Sequence, residues 1–337
     1  FGILPSREKG GTTMRRIGCL VVALMLVLGG CRRAARAPLT RSTVALDTTV
    51  TIAVYDVQAS TEVLDDCVQR IQHYESLFSR TRAGSDIYRL NTAGGAWVTV
   101  DAETRALMQQ ALDICRESGG KFDITVAPIT SLWNFSSESP VVPDKAALAE
   151  AVTHVGYDKL EIDGDRVRLT DPAAGVDLGG VAKGYIADRL REYLVSQKVS
   201  GALIDLGGNV LAVGDKQGEA FRVGIRDPQD SAALAATVAV RDRSVVTSGS
   251  YERGFTQDGV YYHHILDPAS GYPVNNGLAA VTILSEQSVV GDMLSTTCFV
   301  LGEEEGLALV ERTDGVEALF VRADGTQVTS SGFATVA

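Results

Sequence analysis

Apolar residues recur at helical spacing in five stretches of the chain and alternate with polar ones in a longer series of short runs. Between Thr61 and Ser79, the residues Leu64, Cys67, Val68, Ile71 and Phe78 lie on one stripe, the pattern of an amphipathic helix. Leu107, Met108, Ala111, Leu112 and Cys115 repeat it, with Asp101 placed to cap the start and Gly119 to end it. Further helices are expected over Asp144 to Val155, through Ile186, Leu190 and Leu194, and from Asp292 to Leu301. Alternation predicts strands in VALDTTVTIAVYD (from Val44), FRVGIRD, ATVAVRD, YYHHILD and AVTILSE, and Asp-Gly turns predict hairpins in LEIDGDRVRLT and VEALFVRADGTQVTS. GGKFDITVAP, 119 to 128, reads as a turn and a short extended run; the polar loop WNFSSESPVVP, 133 to 143, reads as a candidate lid or partner contact. Helices and strands mixed early, followed by a run of strands, indicate an α+β fold rather than a doubly wound parallel sheet.

A chain of 337 residues that is 45% hydrophobic and 22% charged can bury a substantial core as one large domain or two intimate ones. Its formal net charge of −11 lacks the clustered Lys and Arg that a phosphate backbone requires, which argues against a nucleic-acid partner.

The amino end reads as an address. Met14-Arg15-Arg16 followed by the apolar run Ile17 to Leu28 describes a signal peptide over 1 to 30, with 1 to 13 upstream of the start expected at Met14. Leu28-Gly29-Gly30-Cys31 resembles a bacterial lipoprotein cleavage box, so Cys31 is expected to carry the lipid and 31 to 43 to be the tether. That puts the body, 44 to 337, outside the cytoplasm on the periplasmic face of a membrane. Cys67, Cys115 and Cys298 fall at apolar helical positions and read as small hydrophobes.

Candidate chemistry gathers in three places. In VDLGGVAKGYIAD, 176 to 188, a diglycine between an apolar run and a helix suits a close approach to an anion, Lys183 adds a charge in the first turn, and Asp177 can accept hydrogen bonds from a ribose or an amine. An ordinary strand-to-helix turn with Lys183 in solvent is the alternative. Asp292 and Thr296 lie four apart on one helical face, two hard oxygen donors that a main-chain carbonyl, water and a diphosphate would complete around Mg²⁺. His263 and His264 precede Asp267-Pro268, where an imidazole can take a proton near neutral pH or simply be a satisfied core group. In TSGSYER, the pair Glu252 and Arg253 suggests a salt bridge that supports the site.

DLGGVAKGYIAD, with IDLGGNVLAVG, TSGSYER, HILDPASGYPV, GDMLSTTCFVLG, FSRTRAGSDIYRLN and GGKFDITVAP in that family's pattern, resembles the FAD:protein FMN transferase (ApbE) family across roughly Ala45 to Ala334. The resemblance implies a T-fold-like core of mixed helices and antiparallel strands with a smaller lobe, and FAD bound between them. It implies Mg²⁺ at Gly180 (main chain), Asp292 and Thr296, and flavin-side contacts at Leu46, where the family has Met, and at Thr81, where it often has an aromatic. Lys121, Phe122, Asp123, Asp177, Lys183 and Leu266 complete the implied cofactor set, and His264 is the implied general base. The implied reaction moves FMN from FAD to a threonine of an acceptor protein, typically a subunit of a membrane redox complex, and releases AMP. Hydrolysis of FAD to FMN and AMP, or lipid-anchored flavin binding without chemistry, are the competing readings.

Overall fold

A computed structural model describes residues 37–56 and 60–336. The signal peptide, the lipid site at Cys31 and the first part of the tether lie outside the described residues. From Pro38 onward the chain forms one compact unit.

Its frame is an eight-stranded sheet whose strands follow chain order: Leu39–Ala45, Thr48–Val54, Gly201–Leu206, Asn209–Gly214, Ser244–Gly249, Leu278–Ser285, Glu317–Arg322 and Gln327–Thr329. Every neighbouring pair is antiparallel. The first two strands correct two expectations. Residues 39 to 43, expected to belong to the tether, are part of a strand, because Leu39 already pairs with Val54. VALDTTVTIAVYD is not one strand but a hairpin, because Leu46 and Asp47 both adopt positive φ (55° and 56°), the two-residue turn that matches the twist of an antiparallel pair. IDLGGNVLAVG is likewise a hairpin, turning at Gly207 and Gly208.

Eight helices accompany the sheet among the described residues: α1 (Thr61–Phe78), α2 (Asp86–Asn91), α3 (Ala102–Glu117), α4 (Ala127–Trp133), α5 (Lys145–Thr153), α6 (Ala182–Ser196), α7 (Ser288–Leu301) and α8 (Glu303–Glu311). Asp101 caps α3 as expected, and Asp144, expected as the first residue of a helix, is the cap of α5. Helices α2, α4 and α8 are not legible in the pattern: the extended run expected within 119 to 128 is a series of turns, and α4 begins at its end, at Ala127, with Pro at its start.

Both sheet faces are covered, which is why strand Leu278–Ser285 is buried at every position. Val281 and Ile283 pack with Leu294, Phe299 and Phe320 beneath α7 and α8, while Ala280 and Leu284 face the hairpin Phe221–Arg226 and Leu234–Val240. The smaller sheet of Val98–Thr99, Leu160–Asp163 and Arg166–Leu169 carries α3 and shares one continuous core with α1, α6 and the main sheet, so the expected smaller lobe has no separate core.

Cys67, Cys115 and Cys298 are free and fully buried, and burial pushes each thiol up to about 12. A thiolate-specific aromatic disulfide should therefore leave all three unmodified in the native protein at pH 8 and label them only in denaturant, as read by peptide mass mapping. Rapid native labelling of any of the three would contradict this packing.

Candidate active site

Helices α6 and α7 begin without a side-chain cap of their own, at Val181 and Gln287. Their exposed N–H groups are met by each other's acids. Asp292 of α7 accepts from Gly184 N at 2.8 Å, and Asp188 of α6 accepts from Ser288 N at 3.0 Å and Val289 N at 2.9 Å. Such an approach needs a residue with no side chain: a Cβ on Gly184 would lie 2.4 Å from the Ser288 carbonyl oxygen. The diglycine expected to make the tight turn does something milder. Gly179 and Gly180 have ordinary backbone angles, and Gly180 sets its main chain beside the Phe122 ring (3.2 Å from a built Cβ) and Thr296 Oγ1 (3.8 Å).

Gly180, Asp292 and Thr296 are thus brought together from 116 residues of sequence separation by one helix crossing. Thr296 Oγ1 and Ser295 Oγ share Ser248 Oγ at 3.2 and 2.9 Å. Burial pushes the Asp292 carboxyl up, against which Lys183, the Gly184 N–H and the Asn209 amide favour the charged form. One buried carboxylate, one hydroxyl and a glycine main chain form a sparse hard-oxygen set, which fits an ion such as Mg²⁺ that keeps waters and takes phosphate oxygens. Among the described residues no three His, Cys, Asp or Glu side chains converge as a zinc-type cage would require.

Lys183 lies near Asp292, Glu252 and His264 and forms no ion pair or hydrogen bond with the described residues, which leaves its ammonium available to an anion. Asp177 is less available than expected. Its carboxylate accepts from Gly179 N (2.9 Å) and Thr130 Oγ1 (2.9 Å) and pairs with Arg80 Nε at 3.2 Å, and Arg80 also donates to Ser131. Sequence reasoning missed Arg80, which sits one residue from Thr81; Thr81 itself is exposed in the same loop.

The two histidines separate cleanly. His263 is buried, with Nε2 on the Val274 carbonyl at 2.9 Å and Nδ1 accepting from Ile265 N, so both nitrogens serve the fold. His264 is half-buried, and its Nδ1 meets the Arg253 carbonyl at 3.2 Å. A carbonyl can only accept, so Nδ1 carries the hydrogen and Nε2 keeps a lone pair. Protein crowding around this still-reachable ring lowers its pKa to about 4, helped by Arg253, His263 and Lys183 and opposed by the Arg253 carbonyl. Arg253 does not pair with Glu252: its guanidinium donates to the Asp47 carbonyl at 3.1 Å. Desolvation instead raises the Glu252 carboxyl, beside Lys183 and Asp292.

The remaining expected contacts divide. Leu46 is half-buried at the strained turn, its N–H held by Glu75 at 2.9 Å. Lys121 reaches Asp267 at 3.9 Å, and Phe122 faces Gly180. Asp123 is turned inward, its two oxygens occupied by Thr125 N, Thr125 Oγ1 and Tyr157 N, so its carboxylate braces the fold and is not offered to a cofactor. Leu266 buries its side chain with Ile129, Trp133 and Leu148. The expected lid is pinned at its base, since Trp133 is fully buried, donates from Nε1 to the Gly271 carbonyl at 2.7 Å and stacks on Phe135.

Gly184→Ala should cost about 1–3 kcal/mol of stability by overpacking the crossing, read from denaturant midpoints. Gly179→Ala, which meets only the Asp177 carboxylate at 3.1 Å, should be close to native. Equal effects would place the tight approach elsewhere.

The chain matches the model of the ApbE family over residues 46–320. It is 37% identical to the FAD:protein FMN transferase of Treponema pallidum, covering 96% of this chain and 95% of that protein. It is 39% identical to a Klebsiella pneumoniae FAD:protein FMN transferase, covering 78% and 83%. In three dimensions it resembles the ApbE protein of Thermotoga maritima (TM-score 0.82, 32% identity, 87% of this chain and 97% of that one). It also resembles the flavin transferase ApbE of Vibrio cholerae (0.79, 27%, 88% and 98%). With the family model matched over most of its length and a relative 37% identical along nearly the whole of both chains, the chain belongs to the ApbE family.

Proposed function

We propose that this protein transfers FMN from FAD to a threonine hydroxyl of an acceptor protein and releases AMP. The observation that carries the reading is the His264 tautomer: with Nδ1–H fixed on the Arg253 carbonyl, Nε2 keeps its lone pair on a half-buried ring that stays unprotonated near neutral pH, close to Lys183. His264 takes the threonine proton as the threonine oxygen bonds to the FMN-side phosphorus, the bond from that phosphorus to the bridging oxygen breaks, and AMP leaves with the electron pair and then a proton. Lys183 holds the diphosphate, whose charge it partly offsets, and Arg80, braced by Asp177 and Ser131, adds a second cation at the rim. Gly180, Asp292 and Thr296 would hold Mg²⁺, which when bound neutralises diphosphate charge. Water in place of the threonine gives FMN and AMP from the same site.

The acceptor class follows from the family resemblance: subunits of membrane redox complexes. Acylation at Cys31 would hold the body near them on the periplasmic face, a reading supported by the Leu28-Gly29-Gly30-Cys31 box. Cys31→Ser should shift the protein from the membrane to the soluble fraction; a native amino terminus without acyl chains would refute the anchor.

Mixing the protein with FAD, MgCl₂ and a candidate acceptor should give a fluorescent acceptor band on a denaturing gel and stoichiometric AMP. AMP without the band would mean hydrolysis, and neither product would mean flavin storage. His264→Ala should slow transfer roughly 10²- to 10⁴-fold with little change in FAD affinity. Because the base works only when unprotonated and its pKa is lowered to about 4, the acid limb of kcat/KM should fall near pH 4, not near the ordinary histidine value of 6.5. An acid limb near 6.5 would show that the ring titrates as an ordinary histidine and that its surroundings do not lower it, and undiminished turnover in His264→Ala would remove His264 from this role.

A further inference from the structure

Asn209 opens strand Asn209–Gly214 directly after the Gly207-Gly208 turn and is 1% exposed. Its Oδ1 accepts from Ser288 Oγ at 2.7 Å, while its Nδ2 has no partner in ordinary hydrogen-bond geometry, although the amide lies close enough to Asp292 to favour that carboxyl's charged form. A buried NH₂ without a partner costs free energy comparable to a lost hydrogen bond, so its placement calls for an explanation. Ser288 begins α7, and Asp292 stands one turn further along the same helix face. With Oδ1 drawn to Ser288, the amide presents Nδ2 to the Asp292 side. The opposite flip would set Oδ1 against the carboxylate, lone pair to lone pair.

We propose that Asn209 is a positioning residue that fixes the Asp292 carboxylate for the cation, with Ser288 setting the flip of its amide. Gly184 N–H already holds Asp292 Oδ2. A second donor from Asn209 stops the carboxylate turning about its terminal torsion and leaves its remaining lone pairs toward Gly180 and Thr296. This is the outer-sphere orientation on which metal ligands commonly depend. The inference rests on the Mg²⁺ reading above and concerns only the orientation of Asp292.

Titration of MgCl₂ into the FAD-loaded protein, followed by calorimetry and by the rise in melting temperature, tests both ideas separately. Absence of Mg²⁺ binding by the native protein would sink the metal reading, and this inference with it, before any variant is made. Asn209→Ala should weaken Mg²⁺ binding about 10- to 100-fold, with FAD affinity in EDTA within about twofold of native. Ser288→Ala should give a smaller loss of the same kind, and the double variant should be no weaker than Asn209→Ala, since the two residues act through one amide. Native Mg²⁺ affinity in both single variants would overturn the proposal, as would losses of FAD and Mg²⁺ affinity in equal proportion, the mark of a scaffold residue. Should Asn209→Ala fail to fold, Ser288→Ala decides, and native Mg²⁺ affinity there overturns it.

Discussion

The exchange of caps between α6 and α7 is the constraint on which the site depends. Two helix starts, each with unpaired N–H groups, are packed side by side, and each is satisfied by an acid one to two turns inside the other. A cap of this kind contributes about 0.5–2 kcal/mol, and removing either would leave a buried carboxylate and orphaned donors together. The two ends differ in one respect that separates structure from function. Asp188 is neutralised by Arg191 at 3.2 Å, and Arg191 is itself held by the Glu286 carbonyl. Asp292, 5% exposed, has no ion pair among the described residues. The same device is closed with a cation at one end and left without one at the other.

A second link runs from His264 to the turn at Leu46 and Asp47. Arg253 offers its carbonyl to both the N–H and the Nδ1 of His264, and its guanidinium grips the Asp47 carbonyl. Leu46 in a left-handed conformation costs roughly 1–2 kcal/mol, and the strain persists because Glu75 holds the Leu46 N–H while Arg253 holds the next carbonyl. His264 and this turn are therefore positioned by one residue that the sequence pattern presented as half of a salt bridge.

Errors in reading the elements have local causes. DITVAP carries β-branched residues that favour a strand, but Asp123 folds back on Thr125 and the chain enters α4 at Ala127 instead. The hairpin at Leu46 and Asp47 lacks the glycine that marks such turns, so alternation ran through it unbroken. Helix α8 follows α7 after Gly302 alone, too short a break for a periodicity to register.

The sequence by itself determined the long helices, the Asp-Gly hairpins, the α+β class and, through motif resemblance, which residues meet: side-chain period and turn chemistry are local properties, and a motif records a site already selected. Tertiary structure alone decided what each polar group does once there. Asp123 and Asp177 are both carboxylates before an apolar run, yet one is consumed by Thr125 and Tyr157 and the other by Arg80 and Thr130, partners up to 97 positions away along the chain. Gly184 rather than the diglycine carries the close approach, because only the crossing angle of two packed helices sets which Cβ would collide. The Asp292 carboxyl without an ion pair, the Asn209 amide between Ser288 and Asp292, and the division of labour between His263 and His264 are likewise questions of which partners burial has left, and no spacing in one dimension encodes that.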